Sequence, residues 1–123
     1  MTETLITLHA RTANTVLLYA FAMGAWSAWN YFRKQGVGGN YFGAMAVGEL
    51  LMIAQGILGV LLLGLGARPS DFIHFLYGVL VTLMWPLTYV YTHARVERKE
   101  AGLYALVAFF IFGLSLRAVM TGG

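Results

Sequence analysis

Residues 41–65 read YFGAMAVGELLMIAQGILGVLLLGL, twenty-five positions with no proline and a single charge, Glu49. Wound as a helix at about 1.5 Å per residue, this stretch exceeds the roughly 30 Å hydrocarbon core of a bilayer. Three more apolar blocks, at about 5–32, 72–91 and 101–120, flank it. Strands do not suit them, because sheet edges facing lipid would leave backbone groups unpaired, and four blocks are too few and too long for a closed barrel. The expected architecture is all-α, an integral membrane four-helix bundle forming one domain over residues 1–123.

The breaks between blocks carry helix-ending chemistry. Arg33-Lys34 and Gln35-Gly36-Val37-Gly38-Gly39 close the first, and Gly66 and the loop Ala67-Arg68-Pro69-Ser70 close the second. Ser70 or Asp71 can cap the third helix, since a short side-chain oxygen takes up a free amide at a helix start. The charged run from Arg95 to Glu100 separates the third block from the fourth.

Composition agrees with a lipid solvent: 59% of residues are hydrophobic and 11% charged, and the mean hydropathy is +0.72. That hydropathy recurs in four blocks rather than in one leader segment. With no cysteine, disulfides, thiolate metal sites, iron–sulfur clusters and covalent haem attachment fall away. The net charge of +3 forms no basic stripe of the kind that binds nucleic acid. Instead, Arg33, Lys34, Arg95, Arg98 and Lys99 lie in the first and third loops, whereas the other side carries Arg11, Arg68 and Arg117. By the positive-inside bias both termini should be extracytoplasmic, in a multi-pass protein of a cell membrane such as a bacterial or archaeal inner membrane.

At 100° per residue, His9, Ala13, Ala20, Gly24 and Ser27 share a stripe of helix one, and His74, Gly78, Val81, Thr82, Trp85 and Tyr89 share a face of helix three. In helix two, Glu49, Met52, Gln55, Gly56 and Gly59 should face the bundle and Leu50, Ala54, Ile57 and Leu61 the lipid. Small residues on such stripes also serve plain helix packing, without any ligand. Met23, Met45, Met52 and Met84 read as packing residues. Trp26, Trp29 and Tyr31 read as an interfacial belt, and Pro86 as a kink in helix three.

Ionisable residues within spans are candidates for function. His9 and His74 both lie near helix starts on one membrane side, and His93 lies on the other, as a solvated helix-end residue. A haem iron accepts one imidazole on each axial face, and two helices of a bundle can present them at a common depth. Gly78, one turn from His74, leaves room for a flat macrocycle. An ordinary headgroup-level role for each histidine is the competing reading. Glu49, deep in helix two, must be protonated or paired. It serves either as a proton relay or as a neutral interhelical hydrogen-bonding group.

The run Gln55-Gly56-Ile57-Leu58-Gly59-Val60, continuing through Gly64, Pro69 and His74, resembles the segment of haem A synthases in which a Q-x-x-L-G helix leads through a Gly/Pro loop to a helix bearing an axial histidine. Upstream, His9-Ala10-Arg11 and an apolar helix ending in Arg33-Lys34 resemble that family's helix beginning with His-Arg, which supplies the other ligand. Helices one to three are thus similar to three consecutive helices of one four-helix half of the family's duplicated fold. The resemblance implies haem b held by His9 and His74, with Gln55, Gly59 and Gly78 beside it and Arg11, Arg68 or Arg117 pairing with the propionates. Arginine suits that role because its planar fork takes a carboxylate through two hydrogen bonds. Headgroup snorkelling is the other reading of each arginine.

The leading expectation is a bis-histidine membrane cytochrome that transfers single electrons, alone or as an accessory subunit of a respiratory or photosynthetic complex, with quinone among its candidate partners. A haem-modifying enzyme related to haem A synthase, working as a homodimer, is the second. A small proton-coupled transporter using Glu49 is the third, and a purely structural subunit the fourth.

Overall fold

A computed structural model describes residues 2–69 and 71–122; Ser70, one of the two expected helix caps, lies outside the described residues. Four helices follow in order: α1 (Thr2–Phe32), α2 (Gly39–Gly64), α3 (Ile73–Thr92) and α4 (Arg98–Gly122). The apolar blocks become helices almost in full, and the bounds shift by a few residues where polar ends join in. α1 begins at Thr2 and α4 at Arg98, because polar residues at a helix end add turns without entering the core.

By length and composition α2, α3 and α4 can each cross a membrane. With 31 residues α1 is longer than any of them, but it is not apolar enough to join them. Thr7, His9, Arg11, Thr12, Asn14 and Thr15 dilute its first half, and Asn30 and Ser27 its second.

Each helix packs on its two neighbours in a ring, α1 on α2 and α4, and α3 on α2 and α4. The α1–α4 interface is the most extensive and α2–α3 the sparsest. Among the described residues there is no close backbone approach across either diagonal, α1 to α3 or α2 to α4. An open apolar groove of about 400 Å³, lined by Met52, Ile53, Gly56, Val60 and Thr82 among others, marks the thin α2–α3 seam.

The first three helices end in the same way. Gln35 N–H reaches Asn30 O and Lys34 N–H reaches Tyr31 O; Ala67 and Gly66 do the same to Leu62 and Leu63, and Ala94 and His93 to Tyr89 and Val90. These paired bonds take up carbonyls that a helix end leaves free, and they require a left-handed residue at the turn. Gly66 (φ 91°) meets that demand without a Cβ, whereas Lys34 (φ 60°) and His93 (φ 52°) meet it with one. At the start of α3, Asp71 Oδ1 accepts from Ile73 N–H at 3.1 Å.

The core is richest toward the end of the bundle where the α1–α2 and α3–α4 loops meet. Tyr41 stacks on Tyr104 at 5.8 Å, and Phe42 meets Tyr104 edge-on at 5.6 Å. The Tyr104 hydroxyl donates to Arg95 O at 2.7 Å and lies 2.8 Å from Thr92 Oγ1. Ser27 Oγ donates to Ala101 O at 2.6 Å, and Val37 N–H to Val96 O at 2.8 Å, joining the two loops. Arg98 adds a bond from Nε to Tyr31 O at 2.9 Å, with its guanidinium 4.4 Å from the centre of the Tyr31 ring. Glu100 is buried there, against Arg95 at 3.4 Å. Met23, Met45 and Met52 are buried packing residues.

Two inward faces differ from the expected ones. In α3 the buried residues are Val81, Trp85, Thr88 and Thr92, while Gly78 and Tyr89 are exposed. The face is turned toward α4, the larger partner, which leaves Gly78 and Tyr89 on the flank of the thin α2 seam. In α2, Gly48 is buried, and Gly56, expected inside, is exposed in the groove. Leu50, Ala54, Ile57 and Leu61 are exposed.

Candidate functional site

At the opposite end of the bundle, the ring of His9 from α1 meets the ring of His74 from α3. Their centroids are 6.1 Å apart and their planes are inclined at 72°. The two helices are diagonal partners whose backbones do not approach, and at this end of the bundle the imidazoles reach across the diagonal, as Tyr19 and Trp85 do farther along it. Both residues are partly buried.

His74 is firmly held. Its Nδ1 lies 2.8 Å from Ala118 O in α4, and because a carbonyl only accepts, Nδ1 carries the hydrogen. Nε2 is then the unprotonated nitrogen, with its lone pair free. The backbone at this corner is tied to the same turn of α4, since Asp71 N–H donates to Thr121 O at 3.0 Å and His74 N–H to Asp71 O at 3.1 Å. Gly122 closes the corner: a Cβ there would lie 2.6 Å from His74 Cε1, so only glycine allows the ring this close to the helix end.

His9 is held differently. Gln55 Nε2 in α2 donates to the main-chain oxygen of His9 at 2.7 Å. The buried Nδ1 of His9 has no hydrogen-bond partner among the described residues. Gly59 lies beside it, where a Cβ would stand 3.4 Å from His9 Cε1, an ordinary contact.

The structure therefore gathers His9, His74, Gln55 and Gly59 at one corner. It does not bring Gly78 against the pair, since that glycine is exposed and its Cβ position has no neighbour within 4 Å. Arg68 spends its Nη1 on the carbonyls of Leu63 and Ala67, at 3.0 and 3.1 Å, closing the end of α2. Arg117 is exposed on α4 with its guanidinium 6.0 Å from the centre of the Tyr77 ring, and Arg11 is exposed on α1. His93, at the far end, is exposed and caps α3. Glu49 is partly buried in α2, with Oε1 buried and unpaired. Ala118 and Gly122 escaped the sequence reading: a main-chain acceptor has no residue signature, and a glycine near a chain end reads as a terminus.

The donor set limits the chemistry. Structural zinc takes four protein ligands and catalytic zinc three, but among the described residues no three His, Cys, Asp or Glu side chains converge. Two imidazoles suit a metal that brings further ligands of its own, as a porphyrin iron does. The spacing suits it. A metal–nitrogen bond of roughly 2 Å and roughly 1 Å more to the ring centre put two trans centroids about 6 Å apart. The glycines beside both rings fit the same group.

The chain matches no family model, no curated protein and no solved structure. The resemblance to haem A synthases rests on the residues that carry it.

Proposed function

We propose that this chain is a four-span membrane protein that holds a b-type haem between His9 and His74 and serves in single-electron transfer. The observation that carries the reading is the 6.1 Å approach of these two rings across a bundle diagonal. The bound iron would supply reversible one-electron chemistry. The protein's part is ligation, orientation and burial, which set the potential.

Each residue at the corner has a task in this reading. His74 offers Nε2 while Ala118 O fixes its tautomer and ring angle. Gln55 pins the α1 backbone at His9 to α2 and so holds the depth at which that imidazole is presented. Arg11 and Arg117, exposed near the ligand-bearing turns, are free to pair with propionates in a way that Arg68 is not. The span of α1 belongs to the proposal: its apolar second half packs on α4 and α2, and its polar first half brings His9 to the shared corner. In this reading the corner faces the extracytoplasmic side of a bacterial or archaeal inner membrane, a sidedness that the loop charges favour. Quinol, or a neighbouring subunit of a respiratory or photosynthetic complex, is the partner class with which such a site exchanges electrons.

The test is the visible spectrum of the detergent-purified chain mixed with haem b. Sharp b-type bands in the reduced-minus-oxidised difference are expected, and His74→Ala should abolish them. Wild-type protein that takes up no haem, or bands unchanged in both His9→Ala and His74→Ala, would dispose of the site.

A further inference from the structure

We infer that the two imidazoles are unequal donors, His74 fixed and His9 exchangeable, so that a small neutral molecule with one donor atom, such as carbon monoxide, takes the place of His9. The inference rests on the haem reading above. Its ground is the difference in what holds each ring.

His74 is restrained through ring and backbone together. Nδ1–H is spent on Ala118 O, the peptide at Asp71 is bonded to Thr121 O, and Gly122 lets the helix end press on the ring. Turning this side chain away would break the Ala118 bond and open a packed corner. For His9 the side-chain bond from Gln55 in α2 is made to the main-chain oxygen, which fixes the helix rather than the ring. Gly59 beside that ring has no side chain to press on it, and the buried Nδ1 of His9 is unpaired among the described residues.

The consequence for ligation follows from the role of the second nitrogen. A hydrogen bond donated by the non-ligating nitrogen orients a metal-bound imidazole and raises its basicity, and losing such a partner typically costs about 10- to 100-fold in metal affinity. His74 has that partner on its Nδ1, and the Nδ1 of His9 has none among the described residues. The bond to His9 is therefore the one that yields. In the exchange, the iron–nitrogen bond to His9 breaks with the electron pair returning to the ring, and a bond forms from the carbon lone pair of the incoming molecule. No electron is gained or lost. Both histidines are only partly buried, so a diatomic molecule can reach them from the near end of the bundle.

The experiment uses the full chain in detergent, loaded with haem b and reduced with dithionite, with carbon monoxide as the probe. Wild-type protein should give a carbon monoxide difference spectrum, and His9→Ala should retain haem and give the larger one. His74→Ala should bind haem about 10- to 100-fold more weakly than His9→Ala does. Absence of any carbon monoxide shift in haem-loaded wild-type protein overturns the inference while leaving the haem reading intact, and this measurement needs no variant to fold. Equal loss of haem affinity in the two variants overturns it as well. Wild-type protein that takes up no haem is a separate outcome, seen before carbon monoxide is added, and it removes both.

Discussion

Replacing Gly48 with alanine sets a methyl group where three helices converge. The new Cβ would lie 2.5 Å from Cζ3 of Trp85 in α3 and 2.8 Å from Cε1 of Tyr19 in α1. Ordinary contact is nearer 3.5–4.0 Å between carbons, so about 1 Å of overlap must be relieved. Neither neighbour can give easily. Trp85 is 1% exposed, its ring meets Tyr19 edge-on at 6.5 Å, and the Tyr19 hydroxyl is bonded to Ala44 O. Overpacking of this kind costs about 1–3 kcal/mol. Against it stands the gain of about 1 kcal/mol for alanine over glycine within a helix. The control is Gly43→Ala in the same helix, where the added Cβ meets nothing within 4 Å and only the helix gain applies. The difference between the two variants isolates the packing cost, about 1–3 kcal/mol, or about 4–12 °C in melting temperature for a chain of this size. Thermal unfolding of both variants in the same detergent, followed by circular dichroism, reads that difference. Gly48→Ala melting at or above Gly43→Ala would refute the convergence of α1, α2 and α3 at this glycine.

Tyr104→Phe removes the hydroxyl that donates to Arg95 O; a loss of about 0.5–1.5 kcal/mol, the worth of one net hydrogen bond, is expected in the same assay. No change on this substitution would mean that the α3–α4 turn is not closed through Tyr104. Topology can be read with single cysteines, because the chain has none of its own. Thr4→Cys should react with a membrane-impermeant maleimide on spheroplasts and Gln35→Cys only after lysis, and the reverse pattern would invert the proposed orientation.

The helices were legible in the sequence because each contains a long apolar run ended by charge or glycine. Their ends were less so. The left-handed residues at the ends of α1 and α3 are Lys34 and His93, and neither advertises that geometry as Gly66 does. The inward face of α3 was read one flank away from its true position. Periodicity fixes which residues share a face, but not which neighbour that face meets, and here α4 outweighs α2. Thr88 and Thr92 are polar and yet belong to the buried face of α3. Their hydroxyls bond back to Met84 O and Thr88 O, at 2.7 and 2.9 Å, so burying them leaves no donor unpaired. Of the corner around His9 and His74, the two rings, Gln55 and Gly59 could be named from residue type and motif. The Ala118 carbonyl could not, because every residue has one and only the register of α4 against α3 selects it.

The two ends of the bundle divide the demands that the proposed function makes. A flat group held between diagonal helices needs an end where the diagonal is bridged only by its ligands, and a bundle opened there must be secured elsewhere. The loop end supplies that security, through the Tyr41–Tyr104 stack, the Ser27 bond to Ala101 O and the Val37–Val96 bond between loops. These contacts join all four helices beyond reach of the histidine corner. Loss of a ligand ring should therefore leave the bundle folded, and loss of the Tyr104 hydroxyl should lower its stability without moving the site. The separation follows from the packing order itself: α1 lies mainly on α4 and α3 on α4, while α2 and α3 barely meet. The sparse seam lies beside the helix that presents Gln55 and Gly59 to His9, and the heavily packed helix, α4, is the one whose last turn anchors His74.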